Sequence, residues 1–277
     1  MNPGVIYYNR GPKMLVRLAV SLSSLRKHYQ GPVTILSHGG SEHAVCQQYA
    51  ARWGAGVSHI EYPDDGKKQT YLNATLSHLH TPYDPTIWLD SDTLVRGDFA
   101  DDLWAAANEN EFAVAQISSW TTYKGKIASR IRAWTPVYPD WIQAAIDFGP
   151  AINCGVFAFR RDSKLMRDWY GLAETGRGLS MIPDETCCQL ILPRYPHKIM
   201  DQKYNVSCKH SKPFDPDARI IHYHGRKHCR INEGQYLNGC QLWYEQFTEV
   251  RYLPEVKKYI EADRQLRINL GRWDGTN

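Results

Sequence analysis

Two carboxylates, Asp90 and Asp92, stand two residues apart directly after the apolar run Ile87-Trp88-Leu89. In an extended chain residues i and i+2 point the same way, so both carboxylates can reach one cation at the end of that strand. In open α/β sheets the carboxyl ends of the strands are where ligands bind. A hard divalent ion takes oxygen ligands and can bridge two carboxylates to a diphosphate. The same residues could instead form a strand-end turn in which Asp caps the following backbone N–H groups. The metal reading is preferred, because two charges ending so apolar a run are costly unless compensated.

Other residue types along the chain could join such chemistry. Asn153, in Ile152-Asn153-Cys154-Gly155-Val156-Phe157, offers a donor and an acceptor, and Gly155 allows a ligand or a neighbouring backbone close approach. An Asn closing a strand-end turn would look the same. Asp184 and Glu185 begin a helical stretch, where a carboxylate can be a nucleophile, a base or an orienting group. His222, His224 and His228 crowd one short segment, and a neutral imidazole nitrogen suits Mn²⁺ better than Mg²⁺. Lys67 and Lys68 lie upstream of Asp90, as a phosphate contact or a solvated surface.

The elements that must position these groups alternate. Val5 to Tyr8 reads as a strand, and Met14, Leu15, Leu18, Leu22, Leu25 and Tyr29 recur at helical spacing with Arg17, Ser21 and Ser24 between them. Gly31-Pro32 stops that helix. Val33 to Leu36 is a strand; Ser41 is placed to cap a helix that Gly54 ends. Val57 to Tyr62, Ile87 to Leu89, Phe112 to Ile117, Ile152 to Phe159 and Arg219 to Tyr223 read as further strands. Helices are expected near 70–79, 101–111, 163–172, 184–192 and from Gln241 onward. This rhythm implies βαβ units and a mostly parallel central sheet flanked by helices. The stretch 118–148 breaks it, with Lys124, Lys126, Arg130 and Arg132 among Trp120, Tyr123, Trp134, Tyr138 and Trp141. It is either a lid or acceptor-binding insertion, or a solvated amphipathic helix with a core face.

Length and composition bound the possibilities. The chain has 277 residues, 43% of them hydrophobic, and a formal net charge of +4, which suits an anionic ligand without the dense basic stripe of a nucleic-acid binder. Nine Trp and 17 Tyr fit a carbohydrate site floored by aromatics, although most aromatics simply build a core. No run approaches the ~18 apolar residues of a membrane span. Seven Cys without a C-x-x-C pair read as reduced thiols and a cytoplasmic protein.

Leu89-Asp90-Ser91-Asp92-Thr93-Leu94-Val95, preceded by Pro82-Tyr83-Asp84, resembles the metal motif of the GT-A fold glycosyltransferases, and of glycosyltransferase family 8 in particular. Three further segments fit in the same order. Ile152 to Phe157 resembles that family's Asn-x-Gly-Val strand, Asp184-Glu185 its acidic or amide pair at a helix start, and Ile221-His222-Tyr223-His224-Gly225 its His-x-x-Gly motif. The likeness covers roughly residues 4 to 230 as spaced motifs. It implies a GT-A-like α/β fold with C-terminal helices, a UDP-sugar donor, a hydroxyl acceptor, Mn²⁺ or Mg²⁺, and retention of anomeric configuration. It implies Asp90, Asp92 and His222 as metal ligands, and Tyr8, Asn9, Asp90, Ser91, Asn153, Gly155 and Gly225 as donor contacts, with Lys227 or Arg226 to neutralise the diphosphate leaving group. Tyr8 and Asn9 end the first strand, where such folds meet the nucleotide base; Tyr8 is equally an ordinary edge aromatic. The departure is Gly225-Arg226-Lys227-His228-Cys229, where Lys comes one residue early and the family's Pro-Trp is missing.

The domain expectation is a catalytic domain over 1–230 with a helical extension over 231–277 packed on it. Two rival readings stand beside it. A nucleotidyltransferase shares the sheet and paired Asp, but Asn9-Arg10-Gly11-Pro12 is poor in Gly for a phosphate loop. A zinc-stabilised binding module would use Cys208, His210, His222, His224, His228 and Cys229, with spacings that match no finger.

Overall fold

The computed structural model describes residues 2–62, 70–116, 131, 134, 138–176, 183–207, 216–223, 231–232, 235–236 and 240–260. In chain order its elements begin β1 (Gly4–Asn9), α1 (Pro12–His28), β2 (Val33–Ser37), α2 (Gly40–Trp53), β3 (Gly56–His59), α3 (Thr70–His78), β4 (Thr86–Leu89) and β5 (Thr93–Val95). They continue with α4 (Ala100–Asn110), β6 (Phe112–Gln116), α5 (Pro139–Asp147), β7 (Ile152–Phe159), α6 (Lys164–Thr175), α7 (Pro183–Ile191), β8 (Lys198–Met200) and β9 (Val206–Ser207). The last are β10 (Ile220–His222), β11 (Ile231–Asn232), β12 (Gln235–Tyr236), α8 (Cys240–Val250) and α9 (Pro254–Ile260).

A central, mostly parallel seven-stranded sheet has the order β3-β2-β1-β4-β7-β6-β8, with β6 antiparallel to β7. The order reverses between β1 and β4, the topological switch point at which such sheets bind ligands. A second sheet runs β5-β10-β9. The fold is therefore the α/β arrangement expected from the alternation of apolar strands and periodic helices. No helix among the described residues is long and apolar enough to cross a membrane. The described cysteines, Cys46, Cys154, Cys187, Cys188 and Cys240, are buried thiols.

By contacts the chain divides into two compact units. One comprises residues 1–6, 62–88 and 100–202; the other comprises 7–61, 89–99 and 203–277. In the latter, α1 buries Leu15, Leu18, Leu22 and Leu25. Pro12 opens it and Gly11, at φ 90, turns the chain into it, a conformation that only Gly adopts without strain. The Arg26 guanidinium donates to the carbonyls of Trp53 (2.6 Å) and Gly54 (2.7 Å), acceptors left over where α2 ends, and to that of Gly31 (2.8 Å) before β2. Lys27 bonds Gln246 and Glu249 of α8, and Arg52 bonds Glu255 of α9, so both C-terminal helices pack within this unit.

Two local expectations are corrected. α2 is preceded by Gly39 at φ 99, with no side-chain cap, and Ser41 lies inside its first turn; a Cβ at position 39 would meet the His59 ring at 2.6 Å, so no capping side chain fits there. The strand predicted over Val57 to Tyr62 ends at His59, because β3 pairs with β2 only as far as Ser37↔His59.

In the other unit an aromatic cluster surrounds a buried histidine. His78 of α3 is 3% exposed, with ring centroids 4.4 Å from Trp88, 4.9 Å from Phe157 and 4.8 Å from Trp169. Burial pulls its pKa down to about 3. The native imidazole stays neutral, while the unfolded chain takes up a proton below its ordinary value near 6.5. A base depressed on folding contributes stability that is present above the unfolded value and lost as pH falls toward the folded one. Between pH 6.5 and 5 the wild type is expected to lose roughly 2 kcal/mol more stability than His78→Leu, at about 1.4 kcal/mol per pH unit. Urea unfolding of both proteins at the two pH values checks this; parallel losses contradict it.

Candidate active site

β4 ends at Leu89 and the chain turns at once. Thr93 N donates to the Asp90 carbonyl at 3.1 Å, and Thr93 Oγ1 donates to the same carbonyl at 2.8 Å. The extended geometry expected for Asp-x-Asp is therefore corrected: a tight turn between β4 and β5, closed by Thr93, aims the two carboxylates. Strand alternation plays no part, since β5 begins only at Thr93.

The third group arrives by strand pairing. β10 runs antiparallel to β5 with His222 opposite Thr93, and Tyr223 N donates to the Asp92 carbonyl at 2.9 Å. This register sets His222 Nε2 3.1 Å from Asp92 Oδ1 and 3.4 Å from Asp90 Oδ2. One ligand atom from each of Asp90, Asp92 and His222 lies within 4.8 Å of the others. The side chains of Asp92 and His222 are 8% and 2% exposed, that of Asp90 38%, so the cluster is buried on one side and open on the other. His222 Nδ1 meets Asn205 Oδ1 at 3.1 Å. A carboxylate oxygen only accepts, so Nε2 is the donor to Asp92 Oδ1, and it is the nitrogen that an ion would take in place of that proton. Two carboxylate oxygens and one imidazole nitrogen are a donor set for a divalent ion of the Mn²⁺ or Mg²⁺ kind.

Helix α1 braces the turn. Tyr7 OH, Ser21 Oγ and Thr93 Oγ1 form a chain at 3.0 and 2.9 Å. Because Thr93 donates onward to Asp90, the protons run from Tyr7 to Ser21 to Thr93. Burial pushes the Tyr7 phenol well up, which keeps it a donor. Ser24 Oγ accepts from Val95 N at 3.1 Å, and Arg17 Nη1 lies 3.7 Å from Asp92 Oδ2. Sequence reasoning recorded Arg17, Ser21 and Ser24 as polar interruptions of a helix and missed their role. The available signal was their spacing, i, i+4 and i+7, on a helix with no solvent-facing need for them. Asn205 had no signal in the sequence.

Other anticipated residues are placed as follows. Ser91 Oγ donates to the Tyr8 carbonyl at 3.0 Å, joining the turn to β1. Asn9, at the end of β1, is fully buried, and neither of its amide atoms has a hydrogen-bond partner among the described residues. In the other unit Asn153 Nδ2 donates to Glu185 Oε2 at 2.8 Å, and its Oδ1 accepts from Gly155 N at 3.1 Å. Asp184 and Glu185 lie in the first turn of α7, where Trp169 Nε1 donates to the Asp184 carbonyl at 2.8 Å. Asp84 is gripped by Arg160 through Nε at 2.7 Å and Nη2 at 2.8 Å, so this part of the motif anchors the chain.

Lys67, Lys68, Cys208, His210, His224, Gly225, Arg226, Lys227, His228 and Cys229 lie outside the described residues, as do Trp120, Tyr123, Lys124, Lys126, Arg130 and Arg132. Of the 118–148 stretch, Trp134 is fully buried against Gly176. Trp141 stacks on Tyr138 at 4.6 Å and carries the Arg194 guanidinium at 4.3 Å.

The sequence matches no family model and no curated protein. Solved structures do match. The bifunctional glycosyltransferase WbbM aligns with a TM-score of 0.64 at 11% identity over 94% of this chain and 51% of that one, so the chain spans about half of WbbM. The galactosyltransferase LgtC, solved with donor and acceptor sugar analogues, gives 0.62 at 16% identity, over 92% of this chain and 99% of LgtC. Mouse xyloside xylosyltransferase 1 gives 0.54 at 14% identity, over 83% and 99%. The chain has the fold of the GT-A glycosyltransferases.

Proposed function

We propose that this protein is a metal-dependent glycosyltransferase that moves a hexose from a UDP-sugar to a hydroxyl acceptor with retention of configuration. The observation that carries the reading is the convergence of Asp90, Asp92 and His222 at the topological switch point of a GT-A sheet. Asp90, Asp92 and His222 Nε2 would hold the ion, which supplies Lewis-acid neutralisation of charge on a departing nucleoside diphosphate. The turn, the hydroxyl chain from Tyr7 and the Asn205 contact keep these ligands oriented before any substrate arrives.

The remaining roles follow from residue chemistry. Asn9 has a buried donor and acceptor to offer a nucleoside; a buried amide with neither atom paired is otherwise costly. Asn153 fixes the Glu185 carboxylate, and the amino end of α7 favours negative charge on Asp184 and Glu185. These two are the candidates to act on the transferred sugar or the acceptor hydroxyl. Tyr8, Ser91, Gly155, Gly225 and Lys227 complete the proposed donor contacts. Retention rests on the order of motifs that resemble family 8, with either a carboxylate nucleophile or same-face attack by the acceptor.

Calorimetry with UDP is expected to show binding that requires Mn²⁺ and that weakens on the order of a hundredfold in Asp92→Asn, an amide being a poor ligand for a hard cation. Unchanged Mn²⁺-dependent affinity in that variant removes Asp92 from the site. Proton NMR of the first product formed from an α-linked donor is expected to show an α-linkage. A β-linked product refutes retention and recasts Asp184 or Glu185 as the base of an inverting enzyme.

A further inference from the structure

Asp92 divides its two carboxylate oxygens between different partners. Oδ1 faces His222 Nε2 at 3.1 Å, and Oδ2 faces Arg17 Nη1 at 3.7 Å. Arg17 projects from the second turn of α1 and is 6% exposed, in a helix that otherwise turns Leu15, Leu18 and Leu22 to the core. A guanidinium keeps its charge at any working pH, and burying one has a cost that only a specific partner offsets. Burial also removes the water that would screen it from a second cation on the same carboxylate.

Two cations on one carboxylate oppose each other. With His222 neutral, as a ligand to an ion must be, Asp90, Asp92, His222 and Arg17 sum to one net negative charge, and a bound divalent ion would bring the sum to one net positive charge. Without Arg17 the loaded cluster would be neutral. A neutral centre holds its ion tightly but attracts a diphosphate weakly. A positive one holds the ion less tightly and the anion more tightly.

We propose that Arg17 is a charge-setting residue of this centre, one that weakens binding of the bare metal and strengthens metal-dependent binding of a nucleoside diphosphate. The inference rests on the metal reading above. It assigns a buried arginine on the first helix part of the anion-binding charge, in a chain whose Gly225-Arg226-Lys227 segment departs from the family pattern. It also gives substitution effects of opposite sign, which a merely structural arginine cannot produce.

The test is calorimetry of Mn²⁺ alone, and of UDP at saturating Mn²⁺, on the full chain and on Arg17→Met and Arg17→Lys. In Arg17→Met the bare ion is expected to bind several-fold tighter and UDP about tenfold weaker. Arg17→Lys, which keeps the charge, is expected to stay within about threefold of wild type in both. Loss of both affinities together in Arg17→Met, or unchanged UDP affinity, overturns the assignment. If Arg17→Met does not fold, Arg17→Lys decides, and weak UDP binding by a folded Arg17→Lys overturns it. A wild type that binds neither Mn²⁺ nor UDP instead refutes the metal reading itself, and this inference falls with it.

Discussion

Asp90 and Asp92 share one turn, and two like charges so close repel unless something positive or hydrogen-bond-donating stands between them. Asp92 is 6% exposed, so water does little of this work. The compensation is built from distant parts of the chain. β10 supplies His222 through its pairing with β5, α1 supplies Arg17, and Tyr223 N holds the Asp92 carbonyl. The tyrosine-to-threonine hydroxyl chain fixes the turn backbone at Asp90. The surroundings of the cluster are thus arranged around aiming two carboxylates at one point. A divalent ion would complete the compensation.

The first helix shows how packing and chemistry share one element. Its leucines bury against the core, and its polar residues at positions 17, 21 and 24 touch the turn and the strand that follows it. Arg26, two residues further along, holds carbonyls where α2 ends. A helix that shifted along its axis would therefore disturb the hydrophobic core and the carboxylate turn together. This coupling pre-organises the Asp-Asp-His cluster, since its geometry follows from the fold.

Much of this was legible in the sequence. Continuous apolar runs such as Ile87-Trp88-Leu89 read as buried strands, and the leucine spacing of α1 read as a helix, because burial imposes those periods directly. The residues of the Asp-Asp-His cluster were legible, but the geometry at the carboxylates was not. Whether Asp90 to Asp92 is extended or turned depends on Thr93 closing a hydrogen-bonded turn, a choice local propensity does not decide. Ser41 failed as a cap because Gly39 and the His59 ring decide where α2 starts, and that contact is tertiary. Arg17 and Asn205 were missed for the same reason. Their roles exist only once α1 and the segment before β9 are packed against the turn, and at 11–16% identity to the matching structures no sequence comparison supplies them.

The central claim is that Asp90, Asp92 and His222 hold one divalent ion, with imidazole nitrogen as a ligand. Pulsed electron paramagnetic resonance of the Mn²⁺-loaded protein reads that bond directly. The account predicts ¹⁴N modulation from one coordinated imidazole in the wild type and its loss in His222→Ala, with oxygen coordination retained. Bound Mn²⁺ with no nitrogen coupling, or a nitrogen signal that survives His222→Ala, would contradict it.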